Sequence, residues 1–378
     1  MRLAKMLEHL RGIAPEHLAE PWDKVGLQIG DLEQHVRRGL LCIDLTEPVL
    51  AEAVADRVDL IVAYHPPIFE PMANFRGEDW KGRLVRDVIR RGIAVYSSHT
   101  ALDAAPDGLN DWLAQSVGDG TVKPIQATLG NGLDARFKIV TFIPPDQANV
   151  VRTHLAAAGA GQIGDYSKCS FNVEGVGTFY GGDSTRPTIG RRGRVEHVGE
   201  IRLEMICPVS DLAAVIETLR RVHPYEEPAF DVYPLSLPPA AGLERAGQGR
   251  VVELASAMSL NSLVDRISRR LGSTTLRVAV PPKRRRGVRR LGLCAGAGGS
   301  LLREAGAIDT FFTGEMRHHD VLDAVQRGIT VILAGHTQTE RPFLAEYRRR
   351  LIRRGGTGVS WRISRSDRAV LKSVKRDG

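Results

Sequence analysis

Short apolar runs alternate with amphipathic segments along the N-terminal part of the chain. The apolar runs are LLCIDL (40–45), VDLIVAY (58–64) and IAVYSS (93–98), and the segments between them are EPVLAEAVAD (47–56) and KGRLVRDVIRRG (81–92). Apolar runs of this length are typical of buried strands, and the intervening segments gather their apolar residues on one helix face. The alternation therefore predicts βαβ units on a parallel sheet.

The C-terminal part repeats the alternation. Its strand-like runs are RRLGLCAG (289–296), DTFFTGE (309–315) and ITVILAG (329–335), and its helix-like segments are SLLREAG (300–306), HHDVLDAVQRG (318–328) and PFLAEYRRRLIRR (342–354). We expect the two α/β halves to be two parts of one sheet, because a domain inserted between them would leave them adjacent.

A different pattern separates the halves. It runs in the order strand, helix, strand, strand, helix, strand, beginning with FKIVTFIPP (137–145) and ending with FDVYPL (230–235). This order is typical of a ferredoxin-like split βαβ fold. The sequence thus predicts an α/β protein with a first half at residues 1–133 and a second half at 238–378, interrupted by an inserted ferredoxin-like α+β domain at 134–237.

Composition is that of an ordinary globular protein. Of its 378 residues, 43% are hydrophobic and 25% are charged. A chain of this length is expected to form two or three domains. No apolar stretch approaches the ~20 residues that span a bilayer, and Glu8 and His9 lie where a signal peptide would be apolar. We expect a cytoplasmic protein that does not enter membranes. The four cysteines lack CxxC spacing and are predicted to be small buried core residues in a reducing compartment.

Net charge is +8, and the excess lies in KRRRGVRR (283–290) and in the Arg-rich tail from residue 348 onward. Specific nucleic-acid binding is not expected, because aromatic residues are only 6% of the chain and no helix-turn-helix or base-stacking motif accompanies the charge. Attraction of a phosphorylated small molecule is a milder consequence of the same charge.

Histidines and acidic residues follow the strand-like runs closely. They are His65 after VDLIVAY, His99 and Asp103 after IAVYSS, Glu315, His318 and His319 after DTFFTG, and His336 and Glu340 after ITVILAG. The carboxyl ends of parallel strands meet at one edge of a sheet, so these side chains are expected to converge there. Imidazoles with carboxylates suit zinc, iron or manganese, and such an ion would activate water for hydrolysis.

Structural roles are the alternative for each of these residues. A single histidine after a strand is often only a hydrogen-bonding residue, Asp103 can cap a turn, and Glu340 can complement a helix dipole. His318 and His319 can simply lie on a helix face. GAGGS (296–300) matches no phosphate-binding motif, so a tight turn is favoured over an anion cradle. Covalent catalysis has no motif in its favour.

Five ordered motifs resemble those of a known family. They are PWDKVGLQIGD (21–31), YHPPIF (64–69), SSHTALDAAPDGLNDWLA (97–114), TGEMRHHDVLDA (313–324) and GHTQTERPFL (335–344). The set is similar to that of the Nif-three-like family, whose bacterial members are commonly labelled GTP cyclohydrolase type 2 homologues. GVGTFYGG (175–182) and HPYEEPAFDVYPL (223–235) resemble the CutA-like, PII-like domain inserted in the longer members.

The resemblance implies one Nif-three-like domain with a dinuclear metal site. On it, the metal ligands are His65, Asp103, His336 and Glu340. It also implies a toroidal homo-hexamer whose metal sites face an internal cavity, with the inserted domain acting as a lid, and a small-molecule substrate such as a nucleotide.

Two departures from the family pattern bear on the site. In YHPPIF, Tyr64 stands where the family's motif usually has its first histidine. A phenol is a poorer ligand than an imidazole at neutral pH. One or two metal ions per chain are therefore expected, the second depending on Tyr64 or on another group such as His99. Lys24 replaces an asparagine and either binds an anionic substrate or pairs with Asp23. The leading hypothesis is a metal-dependent hydrolase, and the alternative is a non-catalytic metal- or metabolite-binding regulatory protein.

Overall fold

Two lengths of chain that are far apart in the sequence fold together. In the computed structural model, Met1–Thr128 and Gly242–Gly378 form one compact unit and Leu129–Ala241 forms another. The structure describes residues 1–76, 78–128, 136–235, 244–273, 275–282, 287–355 and 358–371. The predicted domain boundaries, after residues 133 and 237, lie outside the described residues, as does the first half of KRRRGVRR.

Helices in the described part of the chain are short, from 5 residues in α10 to 12 residues in α8. The α-helices are α1 Leu3–Arg11, α2 Glu47–Ala55, α3 Trp80–Arg90, α4 His99–Ala104, α5 Leu109–Val117, α6 Ala148–Ala157, α7 Leu212–Val222, α8 Leu260–Leu271, α9 His318–Gln326, α10 His336–Glu340 and α11 Leu344–Arg353. Segments Glu16–Leu18, Gly299–Arg303 and Arg341–Phe343 are 3-10 helices. None of the helices described has both the length and the apolar character needed to cross a membrane.

Strands fall into four sheets in the described residues. They are β1 Gly26–Ile29, β2 Arg38–Cys42, β3 Leu60–Ala63, β4 Ala94–Ser97, β5 Gly120–Lys123, β6 Gln126–Ala127, β7 Arg136–Ile143, β8 Phe171–Tyr180, β9 Val195–Pro208, β10 Phe230–Leu235, β11 Gly247–Gln248, β12 Arg250–Met258, β13 Arg277–Ala279, β14 Val288–Cys294, β15 Thr310–Thr313, β16 Thr330–Leu333 and β17 Ser360–Ile363.

The first sheet has the order β1-β4-β3-β2-β17. β4, β3, β2 and β17 are parallel, and β1 is antiparallel to β4. Every residue of β3 and β4 is buried, as expected of parallel strands that are covered on both faces. The carboxyl ends of β2, β3 and β4 therefore meet at one edge of this sheet.

The second sheet has the order β13-β16-β15-β14-β12-β5. β14, β15 and β16 are parallel, whereas β13, β12 and β5 pair antiparallel. The expectation that the two halves share one sheet was therefore wrong. Each half supplies a strand to the other half's sheet: β17 pairs with β2, and β5 pairs with β12. The first sheet ends at β1 and β17 and the second at β13 and β5, so neither sheet continues into the other.

One hydrophobic core joins these two sheets. Its buried side chains include Leu41 and Val62 from the first sheet and Leu293 and Phe312 from the second. Each such side chain contributes about 1.5–3 kcal/mol when it is fully buried. The mixed α/β fold expected from the sequence is confirmed, and the shared core holds both sheets in one unit.

The unit at Leu129–Ala241 contains an antiparallel sheet of order β10-β7-β9-β8. Helices α6 and α7 pack on this sheet, with Val151, Leu155, Val215 and Leu219 buried in its core. Along the chain the elements follow the order β7, α6, β8, β9, α7, β10.

Two local expectations differ from the structure. SLLREAG was expected to be an α-helix, but a 3-10 helix forms at Gly299–Arg303, because glycines flank the segment on both sides and Gly306, with a φ of +67°, ends it. Cys42, Cys207 and Cys294 are buried as expected, but Cys169 is half-exposed. It lies in the connection between α6 and β8 rather than inside a strand.

Candidate metal centre

Three predicted ligands come together between the carboxyl ends of β3 in the first sheet and β16 in the second. His65 follows β3 directly after Tyr64, and its backbone N–H donates to the carbonyl of Ile43. His336 and Glu340 are the first and last residues of α10, which follows β16. Residues four apart lie on the same face of a helix, so this short helix presents an imidazole and a carboxylate side by side.

The geometry of these three side chains fits one metal ion. One ligand atom from each of His65, His336 and Glu340 lies within 4.8 Å of the others. His336 Nε2 is 3.2 Å from Glu340 Oε1, and His65 Nε2 is 3.6 Å from Glu340 Oε2. Ligand bonds of about 2.0–2.2 Å place neighbouring donor atoms roughly 3–3.5 Å apart around an ion. The observed spacings are therefore close to those of a coordination sphere.

Glu340 is the most buried member of the group, with only 2% of its surface exposed. Among the described residues its Oε2 atom has no hydrogen-bond partner. His65 Nε2, at 3.6 Å, is too distant to donate one, and a buried carboxylate oxygen without a hydrogen bond is costly, so a bound cation would satisfy it.

Gly296 packs directly against this carboxylate. A Cβ atom at this position would lie 2.8 Å from Glu340 Oε1 and 3.2 Å from His336 Nε2. Its φ of +59° is also unfavourable for residues other than glycine. Sequence reasoning did not assign Gly296 to the site. The available signal was the GAGGS turn at the end of a strand in the same sheet as β16.

Carboxylates fix the orientation of both imidazoles. His65 Nδ1 lies 2.9 Å from Asp44 Oδ1, and His336 Nδ1 lies 2.9 Å from Glu315 Oε1. Metal-binding histidines commonly donate their second ring N–H to a carboxylate in this way, which leaves Nε2 for the ion. Sequence reasoning placed Glu315 near the site but missed Asp44, although Asp44 follows β2 at the same edge of the first sheet.

Protons are held tightly in this cluster. Burial alone would lower the pKa of His65, but the carboxylates of Asp44 and Glu340 raise it to about 10. Glu340 raises the pKa of His336 to about 9 against the opposing effect of burial. Burial would raise the pKa of Glu340, yet the two imidazoles hold that pKa below its ordinary value. An ion must therefore compete with protons for both Nε2 atoms.

Asp103 is engaged by Tyr64. The Tyr64 hydroxyl donates a 2.6 Å hydrogen bond to Asp103 Oδ1, and both side chains are buried. Burial raises the pKa of Asp103 to about 6, although the bond from Tyr64 acts in the opposite direction. Burial and the neighbouring Asp103 also raise the pKa of Tyr64 well above its ordinary value. At neutral pH Tyr64 is therefore a neutral donor to Asp103.

His99 stands beside this pair. Its ring centroid is 5.5 Å from that of Tyr64 and 5.2 Å from that of His65. His99 Nδ1 lies 2.8 Å from Asp23 Oδ1, which makes a third imidazole anchored by a carboxylate. Asp23 also accepts hydrogen bonds from the backbone and hydroxyl of Thr100.

Three other candidates lie apart from the group of His65, His336 and Glu340. Lys24 is exposed, and its backbone N–H, rather than its ammonium group, donates to Asp23 Oδ1 at 2.7 Å. His318 and His319 begin α9, are exposed, and contact each other with ring centroids 5.4 Å apart.

Known proteins are similar to this chain in sequence and in fold. The family model described as Duf34/NIF3 (NGG1p interacting factor 3) matches residues 1–368. A Bacillus subtilis protein named GTP cyclohydrolase 1 type 2 homolog is 34% identical over 335 residues, which cover 88% of this chain and 87% of that protein. NIF3-like protein 1 of Rattus norvegicus is 35% identical over 380 residues, covering 99% of this chain and 93% of that protein. The crystal structure of a Bacillus cereus protein related to NIF3 matches with a TM-score of 0.63 and 31% identity, covering 99% of both chains.

Proposed function

The chain belongs to the Duf34/NIF3 family, and on that premise we propose that it is a metal-dependent hydrolase with one firm ion position at His65, His336 and Glu340. The observation that carries the proposal is the buried Glu340 carboxylate between two imidazoles that Asp44 and Glu315 hold in place. The substrate we propose is a nucleotide or another phosphorylated small molecule. Relatives named GTP cyclohydrolase 1 type 2 homolog support that substrate class.

Two nitrogens and a carboxylate suit zinc, iron or manganese. When bound, such an ion supplies Lewis-acid chemistry, which polarises a carbonyl, phosphoryl or amidine group and makes water more acidic. The protein's own contribution is to orient both imidazoles through their Nδ1 atoms and to shield Glu340 from solvent. Asp103, with its pKa near 6, can accept a proton at neutral pH while the Tyr64 hydroxyl holds it in place.

We also propose a second ion position, which binds its ion more weakly than the first. The family resemblance makes Asp103 a ligand, and His99 offers a further imidazole close to Tyr64. The hydrogen bond from Tyr64 already uses one carboxylate oxygen of Asp103. This bond supports an occupancy below that of the first position.

The unit at Leu129–Ala241 is proposed to be the inserted ferredoxin-like, CutA-like domain. Its element order β7, α6, β8, β9, α7, β10 and its sheet order β10-β7-β9-β8 support that assignment. The homo-hexamer and the lid role implied by the resemblance stay predictions, and sedimentation velocity would test the first of them.

Metal content per chain tests the centre. Elemental analysis of the wild type is expected to give about one equivalent of zinc, iron or manganese, and His65→Ala, His336→Ala and Glu340→Ala are expected to lose it. His319→Ala is the matched control, because it also removes an imidazole but lies on the exposed start of α9. Equal metal content in the wild type and Glu340→Ala would refute the centre.

Turnover separates the hydrolase from a non-catalytic alternative. The Tyr64–Asp103 bond favours the alternative, a metal- or metabolite-binding regulatory protein, because it weakens a two-ion centre. We expect the metal-loaded wild type to hydrolyse at least one member of a panel of nucleotides and phosphorylated metabolites, and Glu340→Ala to be inactive. Stoichiometric metal without any turnover across the panel would decide for the regulatory protein.

A further inference from the structure

A cavity of about 770 Å³ opens beside the candidate metal centre. Ser300 and Arg303 line it from the segment after β14, and Glu315 and Arg317 line it from the segment after β15. Arg277 also lines it and begins β13, which runs antiparallel to β16, so that Arg277 pairs with Leu333 at the end of β16. The cavity therefore lies at the carboxyl edge of the parallel strands β14, β15 and β16, where ligands bind in open α/β sheets.

Three guanidinium groups share this cavity. Arg277, Arg303 and Arg317 are all exposed, and in the part of the chain that the structure describes none of their side chains has a hydrogen-bond or ion-pair partner. Two carboxylates, those of Glu315 and Asp320, also line the cavity. Glu315 is already bonded to the His336 ring at 2.9 Å. The three guanidinium groups outnumber the two carboxylates, so the concave site carries an excess of positive charge that attracts anions.

The walls of the cavity are tied together by hydrogen bonds. Gly298 N–H donates to Thr313 Oγ1 at 2.9 Å, and Glu315 N–H donates to the Gly296 carbonyl at 2.9 Å. Gly299 packs against α9, because a Cβ atom there would lie 3.3 Å from Asp320 Oδ2. The two segments that carry Arg303 and Arg317 are thus held at a fixed separation.

Glu315 connects the cavity with the metal centre. It lines the cavity and also orients His336 in the metal centre. A ligand held by the arginines is therefore next to the metal centre, and the cavity volume lies within the range of about 300–1,000 Å³ that small-molecule sites have.

We propose that Arg277, Arg303 and Arg317, with the Ser300 hydroxyl, bind the phosphate groups of a phosphorylated small-molecule substrate. The guanidinium fork matches phosphate oxygens in pairs, and a dianion balances several arginines better than a carboxylate does. This inference rests on the proposed hydrolase, since it assigns the phosphate end of that enzyme's substrate. On this proposal the three arginines bind substrate and take no part in the reaction, and the reacting group of the substrate lies near Glu315 and His336.

Calorimetric titration with methylenediphosphonate, a diphosphate analogue that hydrolases do not cleave, tests the proposal on the full-length, metal-loaded protein. Single Arg277→Gln, Arg303→Gln and Arg317→Gln variants are each expected to bind the analogue about tenfold more weakly, equivalent to 1.4 kcal/mol. All three residues are exposed, so the variants are expected to fold, which circular dichroism checks.

Arg90→Gln is the matched control. It removes the same charge from an exposed arginine at the end of α3, which follows β3 of the other sheet, and is expected to leave binding unchanged. Equal affinity in the wild type and all three cavity variants would overturn the inference. So would an equal loss in Arg90→Gln, because the effect would then be one of net charge alone.

Elemental analysis of the same samples measures their metal content, which tests the metal centre separately from the anion site. If the three arginine variants keep their metal and bind the analogue as tightly as the wild type does, the inference is overturned while the proposed hydrolase stands. Arginine-dependent binding to a wild type that holds no metal would support the anion site while the proposed hydrolase fails. Binding lost in Glu340→Ala but kept in all three arginine variants would place the phosphate on the ion and overturn the inference.

Discussion

Replacing Gly296 with alanine is expected to damage the metal centre without touching a ligand. The new Cβ atom would lie 2.8 Å from Glu340 Oε1, closer than such atoms approach in folded proteins. Glu340 is buried between two imidazoles, so its carboxylate must move by a few tenths of an ångström. The same Cβ atom would lie 3.2 Å from His336 Nε2, so two of the three ligand atoms are displaced from the positions that suit the ion. We therefore expect zinc affinity to fall about 10–100-fold, the range seen when groups supporting a ligand are lost.

Backbone strain must be separated from this effect. Gly296 has a φ of +59°, so alanine costs about 1–2 kcal/mol of folding free energy there regardless of the site. Gly272→Ala is the matched control, because Gly272 has a φ of +62° and nothing lies within 4 Å of a Cβ added to it. Urea unfolding should show similar destabilisation in both variants, and competition with a zinc chelator should show weaker binding only in Gly296→Ala. Wild-type zinc affinity in Gly296→Ala would refute the reasoning.

Three further predictions concern the same centre. Asp44→Ala and Glu315→Ala should each weaken zinc binding about 10–100-fold in chelator competition, because each removes the acceptor that orients an imidazole; unchanged affinity would show that the imidazoles are held otherwise. At about pH 8, which lies below the raised pKa values of His65 and His336, both metal-free imidazoles carry a proton, so zinc loading should release close to two protons and affinity should rise with pH up to about 10. Calorimetry in buffers of different ionisation enthalpy measures this release, and a value near zero would contradict it. Tyr64→His should raise metal content towards two equivalents by elemental analysis, and an unchanged content would mean that Tyr64 does not limit the second position.

Local pattern was enough to identify much of this molecule. The apolar runs predicted β3, β15 and β16, because strands buried on both faces must be apolar over their whole length. Residues that follow parallel strands are expected at one sheet edge, and His65 was predicted as a metal ligand for this reason.

The way these parts meet depends on long-range packing. The exchange of β5 and β17 between two sheets depends on pairing between distant segments, and hydrophobic periodicity does not encode which strands pair. The carboxylate partner Asp44, the glycine at 296 and the bond from Tyr64 to Asp103 are likewise contacts across a shared core. Local sequence was enough to show which residue types follow the strands. Packing of the two sheets determined that His65, His336 and Glu340 lie within 4.8 Å of one another, because that distance is set by long-range contacts rather than by local spacing.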